Sequence, residues 1–189
     1  MLEATLGNAM KAKWLGCGLY SVIAGLRAKA TRWRENWLSR ALDAGLLLVA
    51  TILMLAGHRL PSLLCARFLP PGPAMPAMGA ALTALGLGFA IWACVHLGRN
   101  WSGTVTLKAD HALIRTGPYR RVRHPIYSGA LLALAGTVLA VGECGVIAFA
   151  LVFLAVLRRV RVEEKHLRAS FPDYDHYRRE TAALIPFIY

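Results

Sequence analysis

The sequence predicts an all-α, polytopic membrane protein with four transmembrane helices. The chain has 189 residues, 57% of them hydrophobic, and its mean hydropathy is +0.47. Soluble domains usually contain about 45–50% apolar residues. The excess is concentrated in long runs, and clusters of arginine and lysine follow alternate runs. These observations favour membrane spans over the core of a soluble protein.

The four apolar runs that predict spans are residues 38–60, 76–98, 126–142 and 144–157. The last two are separated by a very short polar turn, so we expect them to form an antiparallel helical hairpin. Residues 14–26 are also apolar but shorter than the roughly 20 residues that a span needs. The sequence leaves open whether this stretch is a fifth span or an interfacial helix.

Individual residues within these runs lead to further expectations. Asp43 is the one acidic residue within the first run, and we interpret it as an interfacial or N-terminal residue favoured by the helix dipole. Close helix packing is expected in the second run because of its small residues, including Gly79, Gly86 and Gly88. The fourth helix should continue beyond the membrane, because residues 158–168 contain no glycine or proline, and should end at the Phe-Pro pair 171–172.

The distribution of basic residues predicts the orientation. Segments 27–40, 99–123 and 158–179 are rich in arginine and lysine, whereas loops 61–76 and 142–144 contain one arginine between them. Basic segments stay on the cytoplasmic side of a membrane. The net charge of +12 is therefore attributed to the membrane surface, with anionic membrane lipids as partners and no nucleic acid.

We expect a single integrated domain, with N-terminal membrane helices in residues 1–98 and a catalytic, cofactor-binding region in residues 99–189. The four cysteines lack the spacing of a metal site and are interpreted as small buried residues. The sequence therefore predicts no metal.

Two polar segments should meet at the cytoplasmic end of the helices. The first, residues 111–127, combines four arginines, two histidines and two tyrosines. In the second, Arg159, Glu163 and His166 fall at i, i+4 and i+7, on one helical face. Glu163 and Glu164 form a carboxylate pair on an otherwise basic surface, so we expect a cationic partner from the protein or from a ligand. A sulfonium or ammonium group would also suit the tyrosine rings.

Simpler interpretations of both segments remain open at this point. The step from His124 to Pro125 is also the usual way to begin a helix, because proline is favoured in the first turn. The neighbouring arginines could bind lipid phosphates. A pair formed by Arg159 and Glu163 could be a surface ion pair, worth only ~0.3–0.5 kcal/mol.

The motifs in the second half of the chain resemble those of isoprenylcysteine carboxyl methyltransferases and of the related membrane phospholipid methyltransferases. The motifs are Gly-Pro-Tyr-Arg at 117–120, Arg-His-Pro-Ile-Tyr-Ser-Gly at 123–129, Glu-Glu at 163–164, Phe-Pro-Asp-Tyr-Asp-His-Tyr at 171–177 and Ile-Pro-Phe at 185–187. Their order and spacing make the resemblance specific. It implies a polytopic helical enzyme that uses S-adenosylmethionine.

The resemblance also implies roles for particular residues. Glu163 corresponds to the acid that holds the cofactor, and Arg159 to a catalytic arginine at the acceptor substrate. The other cofactor-binding positions are His111, Ala112, Leu113, Ile114, Tyr119, His124, Pro125, Ile126 and Tyr127. Pro172 stands where the family often has glycine. The chain also lacks the extra N-terminal spans of the eukaryotic prenylcysteine enzymes, which bears on the identity of the acceptor.

The predicted function is methyl transfer from S-adenosylmethionine to a lipophilic or prenylated acceptor at the cytoplasmic face of an integral, multi-pass membrane protein. We expect carboxyl O-methylation of an isoprenylcysteine-like substrate, because Arg159 can grip a carboxylate with two hydrogen bonds. The alternative within the same class is N-methylation of an aminophospholipid. Other classes are a haem-binding protein that uses His58 and His96, and a small transporter.

Overall fold

The computed structural model describes residues 2–26, 31–34, 36–56, 74–101, 106–108, 113–141 and 145–186. The helices are α1 (Leu2–Leu26), α2 (Trp37–Ala56), α3 (Ala74–Leu97), α4 (Pro125–Val141), α5 (Gly145–Ser170) and α6 (Tyr174–Glu180). Two short 3₁₀ helices occupy Gly98–Asn100 and Gly117–Arg120. Strands β1 (Thr31–Arg34) and β2 (Thr106–Lys108) pair antiparallel. The predicted helical class is confirmed, and the small β-ribbon was not predicted.

The four longest apolar runs correspond to helices α2 to α5, and the third begins at Pro125 as a proline-started helix should. The fourth helix continues well past its apolar part and ends at Ser170, as predicted. Helix α1 includes the candidate stretch 14–26 but begins at Leu2. Among the described helices, Ala74–Leu97 alone combines the length and composition of a span. The number of spans therefore stays a prediction.

The helices pack as a row in the order α1, α3, α4, α5, α2. The contact between α3 and α4 is the most extensive, and α2 is attached mainly through α5. A hydrophobic cluster joins α4, α5 and the segment after α6, and its buried members are Leu131, Val156, Val160, Ala183 and Leu184. This arrangement brings the start of α4, the polar half of α5 and the C-terminal segment to one end of the molecule.

Glycines explain the close approach of α3 and α4. A Cβ atom added at Gly86 would lie 2.3 Å from the backbone nitrogen of Ala133, and one added at Gly79 would lie 2.5 Å from the backbone oxygen of Gly136. The buried Thr83 sits between them and donates a hydrogen bond to the oxygen of Gly79 at 2.9 Å. The expected packing role is confirmed for Gly79 and Gly86. It is wrong for Gly88, which is exposed, with nothing within 4 Å of an added Cβ.

We expect Gly86→Val to destabilise the protein much more than Gly88→Val. Both changes alter the helix propensity by the same amount, but only the first forces a side chain into the backbone of α4. Overpacking of this kind typically costs about 1–3 kcal/mol. Thermal unfolding in detergent micelles measures the difference. Equal midpoints for the two variants would contradict the proposed tight contact.

Candidate active site

The Gly-Pro-Tyr turn is fixed against the end of α3. Gly117 has a φ of +59°, and an added Cβ would lie 2.6 Å from the ring of His96. The His96 ring shares a 2.8 Å hydrogen bond with the Thr116 hydroxyl and stacks on Tyr119, with ring centroids 6.4 Å apart. Tyr119 is buried, its hydroxyl donates to the backbone oxygen of Ala93 at 3.4 Å, and its own backbone oxygen accepts from Tyr177 at 2.6 Å. His96 thus serves the turn, and His58 lies outside the described residues.

The backbone around His124 is held by the C-terminal segment. Val122 and Ala182 form a parallel β-bridge, and the backbone N–H of His124 donates to the oxygen of Ala183 at 3.1 Å. The hydroxyl of Ser128 donates to the oxygen of Leu184 at 2.5 Å. The start of α4 is therefore fixed from both sides, by the 3₁₀ turn before it and by residues close to the C-terminus.

His124 lies between the two glutamates predicted from the sequence. Its side chain is 5% exposed, its Nδ1 is 3.2 Å from Oε2 of Glu163, and its Nε2 is 3.6 Å from Oε1 of Glu164. The hydroxyl of Tyr127 donates to Oε1 of Glu163 at 2.5 Å, and its ring stacks on His124 with centroids 5.8 Å apart. The His-Pro step therefore both begins a helix and supplies buried polar groups.

Arg123 completes this cluster on the side of Glu164. Its Nε donates to Oε1 of Glu164 at 2.7 Å, and its Nη1 donates to the backbone oxygens of Thr181 and Arg178. The Nε of Arg178 lies 3.5 Å from the other carboxylate oxygen of Glu164. The cationic partners expected for the two acids are thus supplied by protein groups. Glu164 is mainly a partner of Arg123, whereas Glu163 faces His124 and Tyr127.

The cluster shifts the pKa values of its members in opposite directions. Burial alone would lower the pKa of His124, but its interactions with the carboxylates of Glu163 and Glu164 outweigh burial and raise that pKa above its ordinary value. Burial alone would raise the pKa of Glu164, but His124 and Arg123 lower it to about 2. His124 therefore retains its proton more readily, and Glu164 is a very weak proton acceptor at neutral pH.

We expect the protein to lose stability as the pH rises above about 6.5, the ordinary pKa of histidine. His124 keeps its proton in the folded protein where the unfolded chain releases it, so its contribution is full below the unfolded pKa and is lost as the pH passes the folded pKa. Glu164 acts in acid: its contribution is present above the unfolded value of 4.5 and is lost as the pH falls toward about 2. Thermal unfolding across this range measures both limbs.

The matched variants for this pH experiment are His124→Gln and His176→Gln. His176 is an exposed histidine on α6, 3.2 Å from Glu180. The first change should flatten the alkaline limb and weaken the acid limb, because His124 helps to lower the pKa of Glu164. The second change should leave both limbs in place. A thermal midpoint of the wild type that stays constant from pH 6.5 to beyond the folded pKa of His124 would refute the higher pKa of His124 in the folded protein.

A second charged cluster joins α2 to α5. The carboxylate of Asp43 is 1% exposed. Its Oδ1 lies 2.9 Å from Nε and 2.6 Å from Nη2 of Arg158. Its Oδ2 accepts a hydrogen bond from Nε of Arg159 at 2.8 Å. Arg158 also donates to the hydroxyl and the backbone oxygen of Ser39. Asp43 lies within α2, and two arginines of α5 neutralise it, so the expected role of the helix dipole is wrong. Its position at the membrane interface stays a prediction.

The two clusters are adjacent along α5. Arg159 and Glu163 lie one helical turn apart on α5, and the hydroxyl of Tyr127 donates to Glu163. The surface-pair interpretation is therefore wrong for Arg159, whose bonded carboxylate is the buried Asp43 and whose own side chain is only 19% exposed. Two charged clusters, one turn apart on α5, thus extend from α2 to the C-terminal segment, and together they are called the polar network.

The remaining predicted site residues surround this network in part. Leu113, Ile114 and Ile126 are half-buried and Pro125 is buried. His111 and Ala112 lie outside the described residues. Within the described chain, no three histidine, cysteine or acidic side chains are grouped as metal ligands.

A polar cavity of about 390 Å³ lies beside Glu164. Acidic and basic side chains line it together, from the start of α4, from α5 and from the region of α6. These residues are Arg123, Glu164, Asp175, Arg178, Arg179, Thr181, Ala182 and Ala183. Two buried polar atoms nearby, Nε2 of His124 and the hydroxyl of Tyr174, have no hydrogen-bond partner among the described residues. Such orphaned atoms are expected where a ligand or ordered water binds.

Comparison with known proteins agrees with the motifs. Residues 79–169 match the family model of the isoprenylcysteine carboxyl methyltransferase (ICMT) family. The resemblance to this family is confirmed. All of the site residues predicted from the sequence lie in this ICMT-like region, whereas Asp43, Ser39 and the segment after Ser170 lie outside it.

Individual relatives are similar over the same half of the chain. The protein-S-isoprenylcysteine O-methyltransferase of Schizosaccharomyces pombe is 35% identical over 101 residues, which are 51% of this chain and 43% of that protein. The cobalt-zinc-cadmium resistance protein CzcN of Cupriavidus metallidurans is 34% identical over 96 residues, which are 48% of this chain and 43% of that protein. The chain thus matches less than half the length of these two relatives.

A solved structure extends the likeness to most of the chain. The eukaryotic intramembrane Ras methyltransferase ICMT superposes with a TM-score of 0.55 at 21% identity, covering 82% of this chain and 54% of that one. At this identity the likeness concerns the fold. The helical fold is therefore similar to that of this ICMT structure.

Two features of the site were not predicted from the sequence. The first is the role of Arg123 and the C-terminal segment, whose partners are more than 40 residues apart in the chain. The second is the Asp43 cluster. Its signal was present, because a lone carboxylate in an apolar helix needs a cationic partner, and adjacent arginines begin the polar part of α5.

Proposed function

We propose that this protein is an integral membrane methyltransferase that uses S-adenosylmethionine to methylate a carboxylate on a lipophilic acceptor of the isoprenylcysteine type. The observation that carries the proposal is the polar network of Arg159, Glu163, Tyr127 and His124 at one end of apolar helices. Arg159 on α5 would bind the carboxylate of the acceptor. Next to it, Glu163 on α5 and the ring of Tyr127 on α4 would bind a cation.

The residues present fit the proposed cofactor. When bound, S-adenosylmethionine supplies a methyl group activated by a sulfonium. Glu163 and the ring of Tyr127 would hold that positive charge, because carboxylates and aromatic faces both attract cations. The cavity beside Glu164 carries acidic and basic groups, which suits the ammonium and carboxylate of an amino acid. His111, Ala112, Leu113, Ile114, Tyr119, Pro125 and Ile126 are proposed as further contacts from the family resemblance.

The apolar surface supports a membrane location with lateral access for the acceptor. Helix α2 exposes a series of large apolar side chains, among them Leu42, Leu48 and Ile52, and α3 exposes Leu85 and Trp92. Exposed apolar area on this scale is typical of surfaces covered by lipid. The basic segments predict that the network faces the cytoplasm, where a soluble cofactor enters, while the lipophilic acceptor arrives from the bilayer.

The protonation states favour a carboxylate over an amine as acceptor. A carboxylate is already ionised at neutral pH, so it needs orientation but no general base. An aminolipid must first lose a proton to a base whose pKa is close to the working pH. Two groups of the network suit this role poorly, because the carboxylates of Glu163 and Glu164 favour the protonated form of His124, and Glu164, with a pKa of about 2, accepts protons poorly.

Isotope transfer from S-adenosylmethionine labelled in the methyl group tests the proposal. The purified protein is incubated in lipid vesicles with an S-prenylated cysteine, with the same compound as its carboxamide, or with phosphatidylethanolamine. We expect label only with the free carboxylate, in a product that releases methanol in mild alkali as a methyl ester does. Alkali-stable label in the aminolipid fraction, with none in the prenylcysteine, would replace this function by N-methylation.

A further inference from the structure

The buried Asp43 is a feature of the site that lies outside the ICMT-like region. It lies on α2, outside residues 79–169, and its carboxylate is 1% exposed. Arg158 and Arg159 both reach it from α5. An ionised group among membrane helices is costly to bury and generally marks a functional element.

Each oxygen of the Asp43 carboxylate bonds a different arginine. Arg158 donates to Oδ1 and also donates to the hydroxyl and the backbone oxygen of Ser39, so these contacts fix the position of the carboxylate. The second oxygen, Oδ2, receives Nε of Arg159 at 2.8 Å. Because a guanidinium is planar, a hydrogen bond at Nε limits the rotation of the whole group. Asp43 therefore fixes the direction of Arg159, which is one helical turn from Glu163.

Stability alone is a weak explanation for this arrangement. Burying an ion pair costs desolvation that the attraction often fails to repay, and apolar replacements of such groups are frequently neutral or stabilising. On the C-terminal side of Asp43, the same face of α2 is apolar and includes Leu46 and Ala50. A charged cluster retained in such a helix contributes orientation that apolar packing cannot.

We infer that Asp43 is a positioning residue that orients Arg159 toward the carboxylate of the acceptor, so that α2 forms one wall of the acceptor site. This inference rests on the proposed function, since Arg159 is the group taken to bind the acceptor. It extends the site beyond the matched region to a helix that exposes apolar side chains. The lipophilic part of the acceptor would then lie against α2 while its carboxylate reaches Arg159.

The decisive comparison is Asp43→Asn with Arg158→Gln. Asparagine keeps the size of Asp43 but lacks the charge that holds Nε of Arg159, whereas Arg158→Gln weakens the contact between α2 and α5 and leaves Oδ2 with Arg159. Binding of the S-prenylated cysteine is measured in vesicles without cofactor, and KM and kcat are measured with it. We expect Asp43→Asn to weaken acceptor binding and raise its KM about 10-fold or more, with cofactor affinity retained.

A double-mutant cycle separates positioning from a structural role. In an Arg159→Lys background, Asp43→Asn should change acceptor binding little further, because its effect passes through the guanidinium. Equal losses for Asp43→Asn and Arg158→Gln, or an undiminished effect in the Arg159→Lys background, would overturn the inference. If Asp43→Asn alone fails to bind cofactor, Asp43 and Asp43→Asn are compared in an Arg158→Met background, which removes one of the two arginines that Asp43→Asn leaves without its carboxylate.

The outcomes also distinguish this inference from the proposed function. In one outcome, the wild-type protein binds the prenylcysteine carboxylate but transfers no methyl group, and Asp43→Asn abolishes the binding. This result refutes the proposed activity and supports the role of Asp43. Wild-type protein that methylates the carboxylate with an acceptor KM unaffected by Asp43→Asn supports the activity and refutes the role of Asp43.

Discussion

Replacing Glu163 by glutamine is expected to weaken the binding of S-adenosylmethionine by about 10- to 150-fold. A hydrogen bond to a charged group typically contributes ~1.5–3 kcal/mol, and each 1.4 kcal/mol is a tenfold change in affinity. Glutamine preserves the size of the side chain and can still accept from the hydroxyl of Tyr127, so the change isolates the negative charge that would face the sulfonium. Calorimetric titration of the purified protein measures the loss.

The control for this experiment is Glu180→Gln, which removes the same charge from an exposed position on α6 next to His176. It should bind the cofactor as the wild type does. Glu163→Gln also leaves His124 with one carboxylate fewer, so its thermal midpoint is recorded alongside the affinity. An affinity equal to that of Glu180→Gln would mean that Glu163 only supports His124 and Tyr127.

The parts of this fold that could be predicted are those whose physics is local. Pro125 begins α4 because its missing N–H and fixed φ suit a first helical turn, and α5 continues to Ser170 because nothing within it breaks a helix. The helical spacing likewise places Arg159 and Glu163 on one face of α5. The prediction of close helix packing from glycine is correct for Gly79 and Gly86 but wrong for Gly88, because the sequence does not show which face of α3 contacts α4.

The parts that could not be predicted depend on contacts between distant segments. Asp43 and Arg159 are 116 residues apart, and Arg123 and Thr181 are 58 apart. Charge alone allows many pairings among 22 basic and 10 acidic residues, and only the packing of α2 on α5 selects this one. The β-ribbon has the same origin, because its strands come from two basic segments and are short, at four and three residues.

Replacing Arg159 by lysine is expected to reduce carboxyl methylation strongly even though the positive charge is kept. Arginine presents several donors in a rigid plane, so it can bond Asp43 through Nε and offer the same plane to a second carboxylate. Lysine can pair with Asp43, but its single ammonium lacks that two-sided geometry. A charge-assisted pair is worth ~1.5–3 kcal/mol, which corresponds to a loss of about 10-fold or more in kcat/KM for the acceptor.

The matched control is Arg161→Lys, an exposed position on the same helix two residues further on. Its methyl transfer should equal that of the wild type, and all three proteins should bind S-adenosylmethionine equally well. With the prenylcysteine acceptor the wild-type rate should be nearly constant from about pH 6.5 to 8.5, because the acceptor carboxylate does not titrate there. The contrary result is methylation of an aminolipid at a rate that rises across this pH range and is the same for Arg159→Lys and Arg161→Lys. It would show that the nucleophile is an amine and that Arg159 serves only to neutralise Asp43.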